Sequence, residues 1–79
     1  MARTLAQLKP GDIARVSDVT GDAALTQRIL EMGILPGNDV QLVRVAPLGD
    51  PMEFAVLGYR ISLRKSEAAC VQCAEPGAA

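Results

Sequence analysis

Glycine and proline interrupt this chain so often that no long helix fits between them. Proline presets φ and glycine accepts positive φ, so their recurrence marks turns. The turn and cap residues that we single out are Gly11, Gly33, Pro36, Gly37, Gly49, Pro51 and Gly58. The segments between them are short, and 79 residues have room for one small core. The spacing therefore predicts a single domain made of short elements.

Five of these segments have the pattern of β-strands, with alternating or continuous apolar side chains between turn signals. They are residues 12–19, 39–46, 52–57, 60–63 and 70–74. In the first of them Ala14 and Val16 share a face, and the change of phase at Val19 indicates a β-bulge near Ser17-Asp18. Five short strands at regular spacing predict an all-β fold, a small β-barrel.

One segment has the period of an α-helix instead. Its apolar stripe recurs at i, i+4 and i+7 within residues 23–32 and consists of Leu25, Ile29 and Met32. Asp22 precedes the stripe as a helix N-cap, and Gly33 follows it at the position where a left-handed residue ends a helix. We therefore expect one short helix between the first and second predicted strands.

The amino-acid content excludes most catalytic chemistry. The chain has no histidine, which is the commonest general base, and no nucleophile motif, phosphate-binding loop or paired acids. We therefore expect that the protein is not an enzyme. A net charge of −1 and two aromatic residues, Phe54 and Tyr59, also argue against a nucleic-acid-binding surface, which usually has a basic face and stacking aromatics.

The distribution of apolar residues argues against insertion into a membrane. No apolar run approaches the roughly 20 residues that span a bilayer, and the N-terminus lacks the apolar segment of a secretory signal. Cys70 and Cys73 lie too close together for a disulfide scaffold of long loops. We therefore expect a cytoplasmic protein.

The loop 47–51 is the first candidate for contact with a partner protein. Its two prolines restrict the free loop, so ordering it on binding costs little. We expect Leu48 and Met52 to be presented there as apolar anchors, with Asp50 between them. The alternative is a rigid strand connection in which Leu48 folds back onto the core.

Tyr59, with Arg60 and Arg64, is the second candidate for a partner contact. An exposed tyrosine near arginine has the usual composition of an interface hot spot. The alternative is a solvated strand face with the tyrosine packed locally. Arg28, on the predicted helix, is expected to pair with Glu31 on the solvent side.

Cys70 and Cys73 have the C-x-x-C spacing of a metal site. A zinc site needs four ligands, and the chain has no other cysteine and no histidine, although two chains could supply four thiolates. The alternative is one buried and one exposed cysteine in a terminal strand. We expect no cofactor, and Cys70 and Cys73 remain the candidates for a divalent metal.

Short motifs follow one another in a recognisable order between residues 5 and 73. They are Leu5-x-x-Leu8-x-Pro10-Gly11, Arg28-x-Leu30-x-x-Gly33-Ile34-x-Pro36-Gly37, Ala46-Pro47-Leu48-Gly49-Asp50-Pro51, Gly58, Ile61-x-Leu63-Arg64 and Glu67-Ala68. In this order and spacing they resemble the FeoA family of ferrous-iron transport accessory proteins. The resemblance implies an SH3-like barrel with one short helix inserted between strands 1 and 2.

The same resemblance implies a function. A member of this family would be a small cytosolic adaptor of bacterial ferrous-iron uptake, which binds the GTPase-bearing cytosolic side of the transporter FeoB and modulates transport. Two alternatives stay open, namely a small nucleic-acid-binding barrel and a metal-binding regulatory module.

The resemblance and the turn pattern together predict the extent of the domain. We expect residues 1–74 to form the barrel and residues 75–79 to form a flexible tail. The protein would meet the membrane only through the transporter. A homodimer stays open, because an edge strand near the C-terminus could pair with a copy of itself.

Overall fold

Strands make up most of the regular structure in the computed structural model, which describes residues 3–74. The strands are β1 (Arg3–Thr4), β2 (Ile13–Val19), β3 (Asp39–Val45), β4 (Met52–Val56), β5 (Tyr59–Leu63) and β6 (Val71–Ala74). The helices are α1 (Ala23–Glu31) and α2 (Lys65–Ala68), with a 3₁₀ helix at Leu5–Gln7. The all-β fold with its inserted helix is confirmed, and the tail predicted at residues 75–79 lies outside the described residues.

The strands form one antiparallel sheet in the order β1-β6-β2-β3-β4-β5. β6 pairs with β1 through Arg3 and Cys73 and with β2 on its other side. The expectation of an edge strand near the C-terminus is therefore wrong, because the two-residue strand β1 was not predicted and covers that side. Within the described residues the sheet ends at β1 and at β5.

Irregular pairing bends the sheet at two points. The register of β2 and β6 shifts between Val16 and Asp18, which confirms the bulge predicted there. The register of β3 and β4 shifts between Leu42 and Arg44, where the apolar residues of β3 change face. A bulge increases local twist, so these two points let a short sheet close around a core.

Helix α1 begins and ends at the predicted signals. Asp22 accepts a hydrogen bond from the Leu25 N–H at 2.8 Å. Gly33 has a φ of +93°, and the Ile34 N–H donates to the Ile29 carbonyl at 3.4 Å, which is the pattern of a Schellman cap. The caps therefore fix both ends of the helix from local sequence.

One buried cluster joins the sheet to the helices. Its largest members are Phe54, Leu5, Ile29, Ile34, Leu42 and Leu63. No polar or charged residue is buried within residues 3–74. The aspartate, glutamate, lysine and arginine side chains of this part of the chain therefore keep contact with solvent.

Glu67 connects the two helices. One of its oxygens accepts the Arg64 N–H at 2.8 Å at the start of α2, and the other pairs with Arg28 of α1. The predicted pair of Arg28 with Glu31 is therefore wrong, since only the folded chain brings Glu67 near, and Glu31 accepts from Gln27 instead. None of the described helices is long and apolar enough to cross a bilayer.

Candidate partner-binding surface

The loop between β3 and β4 presents Leu48 to solvent. The Gly49 N–H donates to the Ala46 carbonyl at 2.8 Å, and the Ala46 N–H donates to the Pro51 carbonyl at 3.0 Å. The Asp50-Pro51 peptide bond is cis. Leu48 is 97% exposed at the tip of this hydrogen-bonded loop, so the alternative in which it folds back onto the core is wrong.

Of the other two residues predicted in this loop, Met52 is buried, whereas Asp50 is exposed. Met52 is 3% exposed and belongs to the core, because it pairs with Leu63 on the inward face of the sheet. The prediction of Met52 as an exposed anchor is therefore wrong. Asp50 accepts the Lys65 N–H at 2.9 Å and so holds the loop against the first turn of α2.

Tyr59 joins the β4–β5 hairpin to the end of α1. Its hydroxyl donates to the main-chain carbonyl of Met32, while its side chain stays 45% exposed. An ideal Cβ built at Gly33 would lie 2.6 Å from the Tyr59 hydroxyl oxygen, so only glycine allows this close approach. Both interpretations of Tyr59 therefore apply in part, because the ring is packed locally and yet exposed.

Arg60 lies in a cluster of charges on the outer face of the sheet. Glu53 accepts from Arg60 at 3.2 Å and pairs with Arg44 at 3.3 Å. The two arginine side chains remain 66% and 73% exposed, so these ion pairs contribute little to stability. One carboxylate between two guanidinium groups leaves a local excess of positive charge.

The predicted contact residues divide into two groups. Leu48, Asp50 and Arg64 lie at the end of the hairpin where Met52 pairs with Leu63. Tyr59 lies at the opposite end, where it pairs with Val56. Four residues of extended strand separate these ends, or about 13 Å. The structure therefore does not bring the two candidate sites together.

Sequence reasoning missed an apolar groove beside the hairpin turn. The groove has a volume of about 260 Å³ and is lined by Ile13, Ala55 and Leu57, with Asp39 and Gln41 at its polar side. Ile13 is 44% exposed and Leu57 is 63% exposed. Gly58 marked this turn in the sequence, but nothing in the pattern showed which side chains would remain uncovered.

Leu57 itself is held in an unusual conformation. Among the residues that the structure describes, Leu57 is the one non-glycine residue with a positive φ, at +52°. Gly58 follows it with a φ of +83°. Two consecutive positive φ values are those of a type I′ hairpin turn, in which asparagine or glycine is the usual first residue. Leucine there costs about 1–2 kcal/mol, so the turn displays an apolar side chain at some cost in stability.

The two cysteines are separate from these surfaces. Cys73 is buried in β6, and Cys70 is partly exposed at the end of α2, where its thiol lies 3.6 Å from the Ser66 carbonyl oxygen. Within residues 3–74 no three side chains of the histidine, cysteine, aspartate and glutamate types are grouped to hold a metal ion.

Known proteins resemble this chain in fold and in sequence. The solution structure of the FeoA protein from Chlorobium tepidum is 32% identical, with a TM-score of 0.87 over 94% of this chain and 70% of that one. The crystal structure of Stenotrophomonas maltophilia FeoA complexed with zinc, described as a procaryotic SH3 domain protein, is 32% identical, with a TM-score of 0.79 over 90% of this chain and 88% of that one. The predicted SH3-like architecture is thus confirmed.

A curated relative contains a similar domain in a longer polypeptide. The Fe(2+) transport protein A/Fe(2+) transporter FeoB fusion protein of Porphyromonas gingivalis is 38% identical over 68 residues, which are 86% of this chain and 8% of that protein. The chain therefore spans a small part of the relative's length. The FeoA domain model matches residues 3–75. From this match and the shared SH3-like fold, we conclude that the chain belongs to the FeoA domain family.

Proposed function

We propose that this chain is a cytoplasmic accessory protein of bacterial ferrous-iron uptake, which acts by binding a FeoB-type transporter and modulating transport. The observation that carries the proposal is the relative in which a domain 38% identical to this chain is fused to FeoB. Fusion places two proteins at high effective concentration, which is useful when they act together.

The described surface supports binding rather than catalysis. A binding role needs exposed side chains on rigid supports, and Leu48 on its hydrogen-bonded loop meets this requirement. Arg60 and Arg64 add charged side chains on the outer side of the hairpin. We therefore propose that the protein is not an enzyme and that it meets the membrane only through its partner.

Binding can be tested with the purified cytosolic portion of a FeoB-type transporter. We expect the folded chain to bind, with an affinity that Leu48→Asp weakens. Glu31→Gln is the matched control, because it also changes one charge at an exposed position, on α1. Absence of binding near 100 μM, with both proteins folded, would contradict the proposal.

Modulation of transport needs a separate measurement. Ferrous iron would be loaded into vesicles that contain the transporter, with and without this chain on the cytosolic side. We expect the initial rate at which iron leaves the vesicles toward the cytosolic side to change with the chain present and to return toward the basal rate with Leu48→Asp. An unchanged rate despite measurable binding would leave an adaptor that binds without modulating.

A further inference from the structure

Strand β5 has a free hydrogen-bonding edge in the described part of the chain. Within residues 3–74 it pairs with β4 alone, and a two-residue turn joins Val56 to Tyr59. In such a hairpin Val56 and Tyr59 exchange hydrogen bonds, and pairing alternates from there along the strands. The N–H and C=O groups of Arg60 and Ser62 therefore point away from the sheet.

The side chains along this edge leave room for another strand. Arg60 and Ser62 are exposed on the outer face, and Ile61 is half-buried on the other face. An added strand would therefore meet a polar face beside Arg60 and an apolar face beside Ile61. Such an edge is the geometry used for recognition by β-strand addition.

The charge of this edge selects the class of partner. Residues 60–65 contain Arg60, Arg64 and Lys65 and no acid. Three carboxylates contact this segment: Glu53 is shared between Arg60 and Arg44, Asp50 accepts the Lys65 N–H, and Glu67 accepts the Arg64 N–H and pairs with Arg28. The cationic side chains in and around the segment outnumber these carboxylates, since Arg28, Arg44, Arg60, Arg64 and Lys65 are all positively charged. The edge thus carries excess positive charge in a chain whose net charge is −1, and it complements a partner with carboxylates.

We propose that the β5 edge binds an extended acidic segment of the partner protein, which adds a further strand to the six-stranded sheet. Its acidic side chains face Arg60, and alternating apolar side chains lie against Ile61. The inference rests on the proposed function, because the segment is assigned to the transporter.

A second copy of this chain fits the same edge less well. If β5 paired with itself about Arg60 or about Ser62, arginine would lie opposite arginine, whereas pairing about Ile61 would place Arg60 opposite Ser62. Like charges directly opposite in a sheet are destabilising. Two identical edges would also bring together the same positive excess, so an acidic partner is favoured over a homodimer at this edge.

The decisive experiment compares edge variants for binding to the transporter's cytosolic portion. Ser62→Pro removes an outward N–H without removing a hydrogen bond to β4. Ser62→Asp keeps that N–H and adds a negative charge opposite Glu53, so thermal unfolding of both variants is measured alongside binding. We expect each to weaken binding by about tenfold, which is the upper range for one hydrogen bond. Equal binding by wild type and both variants would overturn the inference and leave the proposed function intact.

A matched pair of charge variants distinguishes an effect of the β5 edge on binding from an effect of positive charge anywhere on the outer face. Arg60→Gln and Arg44→Gln each remove one guanidinium group and one contact with Glu53. Arg44 lies on β3, two strands away from the edge. We expect Arg60→Gln to weaken binding by about threefold, as for a rim charge, and Arg44→Gln to leave it within about twofold. Equal losses would assign the effect to general charge and contradict strand addition.

A peptide measurement decides the inference even if the transporter does not bind. The probe is a blocked peptide of alternating glutamate and valine, titrated into isotope-labelled protein, with a lysine–valine peptide as its control. We expect the amide signals of Arg60 and Ser62 to shift and to become protected from exchange with the acidic peptide alone. No shift at millimolar peptide, in a protein that also fails to bind the transporter, would overturn the inference together with the proposed function.

A last control addresses other polyanions. Single-stranded DNA would be titrated into the same labelled protein at low salt. We expect no shift at Arg60 or Ser62, because an added strand needs main-chain donors and acceptors that DNA does not offer in that geometry. Binding of DNA as tight as that of the acidic peptide would identify a general polyanion site and contradict the proposal.

Discussion

Gly33 and Tyr59 approach so closely that a side chain at Gly33 would meet the tyrosine hydroxyl. The relationship joins the end of α1 to the β4–β5 hairpin, because Tyr59 also donates to the Met32 carbonyl. Gly33 therefore has two roles. Its positive φ ends α1, and its lack of a side chain leaves room for Tyr59 of the hairpin. A local cap and a contact between distant segments depend on one residue.

We predict that Gly33→Ala lowers the free energy of unfolding by about 2–3 kcal/mol, the sum of a positive-φ penalty and overpacking. Gly37→Ala is the control, since its φ is +96° but no described atom lies within 4 Å of its ideal Cβ. It should cost about 1 kcal/mol. Urea unfolding would measure both, and equal losses would show that Tyr59 moves aside freely.

The Tyr59 contact can be tested in the same background. Tyr59→Phe removes the hydrogen bond to Met32 and should cost about 1 kcal/mol in the wild type. It should cost less in Gly33→Ala, because the removed oxygen is the atom nearest the added Cβ. A double-mutant cycle measures this coupling, and strictly additive losses would contradict it.

Asp50 is predicted to act on stability, although its loop is exposed. Asp50→Ala removes the acceptor for the Lys65 N–H at the start of α2 and should cost about 1 kcal/mol, as loss of a helix cap does. Leu48→Ala, at the tip of the same loop, should change stability by less than about 0.5 kcal/mol. Thermal unfolding would compare the two, and similar losses would mean that the loop, not the cap, is responsible.

Met52 is predicted to matter for the core and not for a partner. Met52→Ala should cost about 2–5 kcal/mol, which in a small domain threatens folding. Met52→Leu preserves volume and should cost less than about 1.5 kcal/mol. Met52→Leu should bind the transporter's cytosolic portion as tightly as the wild type does. Weaker binding would show that Met52 contacts the partner.

The metal hypothesis has a direct test. We predict that native mass spectrometry with added zinc finds no stoichiometric ion, because Cys70 and Cys73 lack further cysteine or histidine ligands in this chain. A zinc-bound monomer or dimer that Cys70→Ser abolishes would contradict this prediction. The zinc complex of Stenotrophomonas maltophilia FeoA makes the measurement worthwhile.

Local signals in the sequence predicted most of the secondary structure. The five predicted strands appear with ends shifted by at most one residue, as in β2 and β3, and α1 lies between its predicted caps. These features depend on turn residues and periodicity within a few positions. The two-residue strand β1 could not be predicted, because Arg3–Thr4 has no strand pattern of its own and forms a strand by pairing with β6.

Contacts between residues far apart in the sequence could not be predicted from such local signals. The turn pattern predicts that Met52 lies in an exposed loop, but its register with Leu63 buries it. Asp50 is exposed, as expected, but its hydrogen bond to a main-chain group 15 residues later has no local signal in the sequence. Exposure of a residue next to a turn depends on which strand lies opposite, and one sequence does not contain that pairing explicitly.

The pairing of β1 with β6 has a consequence for how such a domain is used. Arg3 lies opposite Cys73, so the polypeptide enters and leaves the fold at neighbouring points. A domain whose two ends lie close together can be fused to or inserted into a larger protein without disruption of its own fold. The domain would expose the same surface whether or not it is fused to another protein.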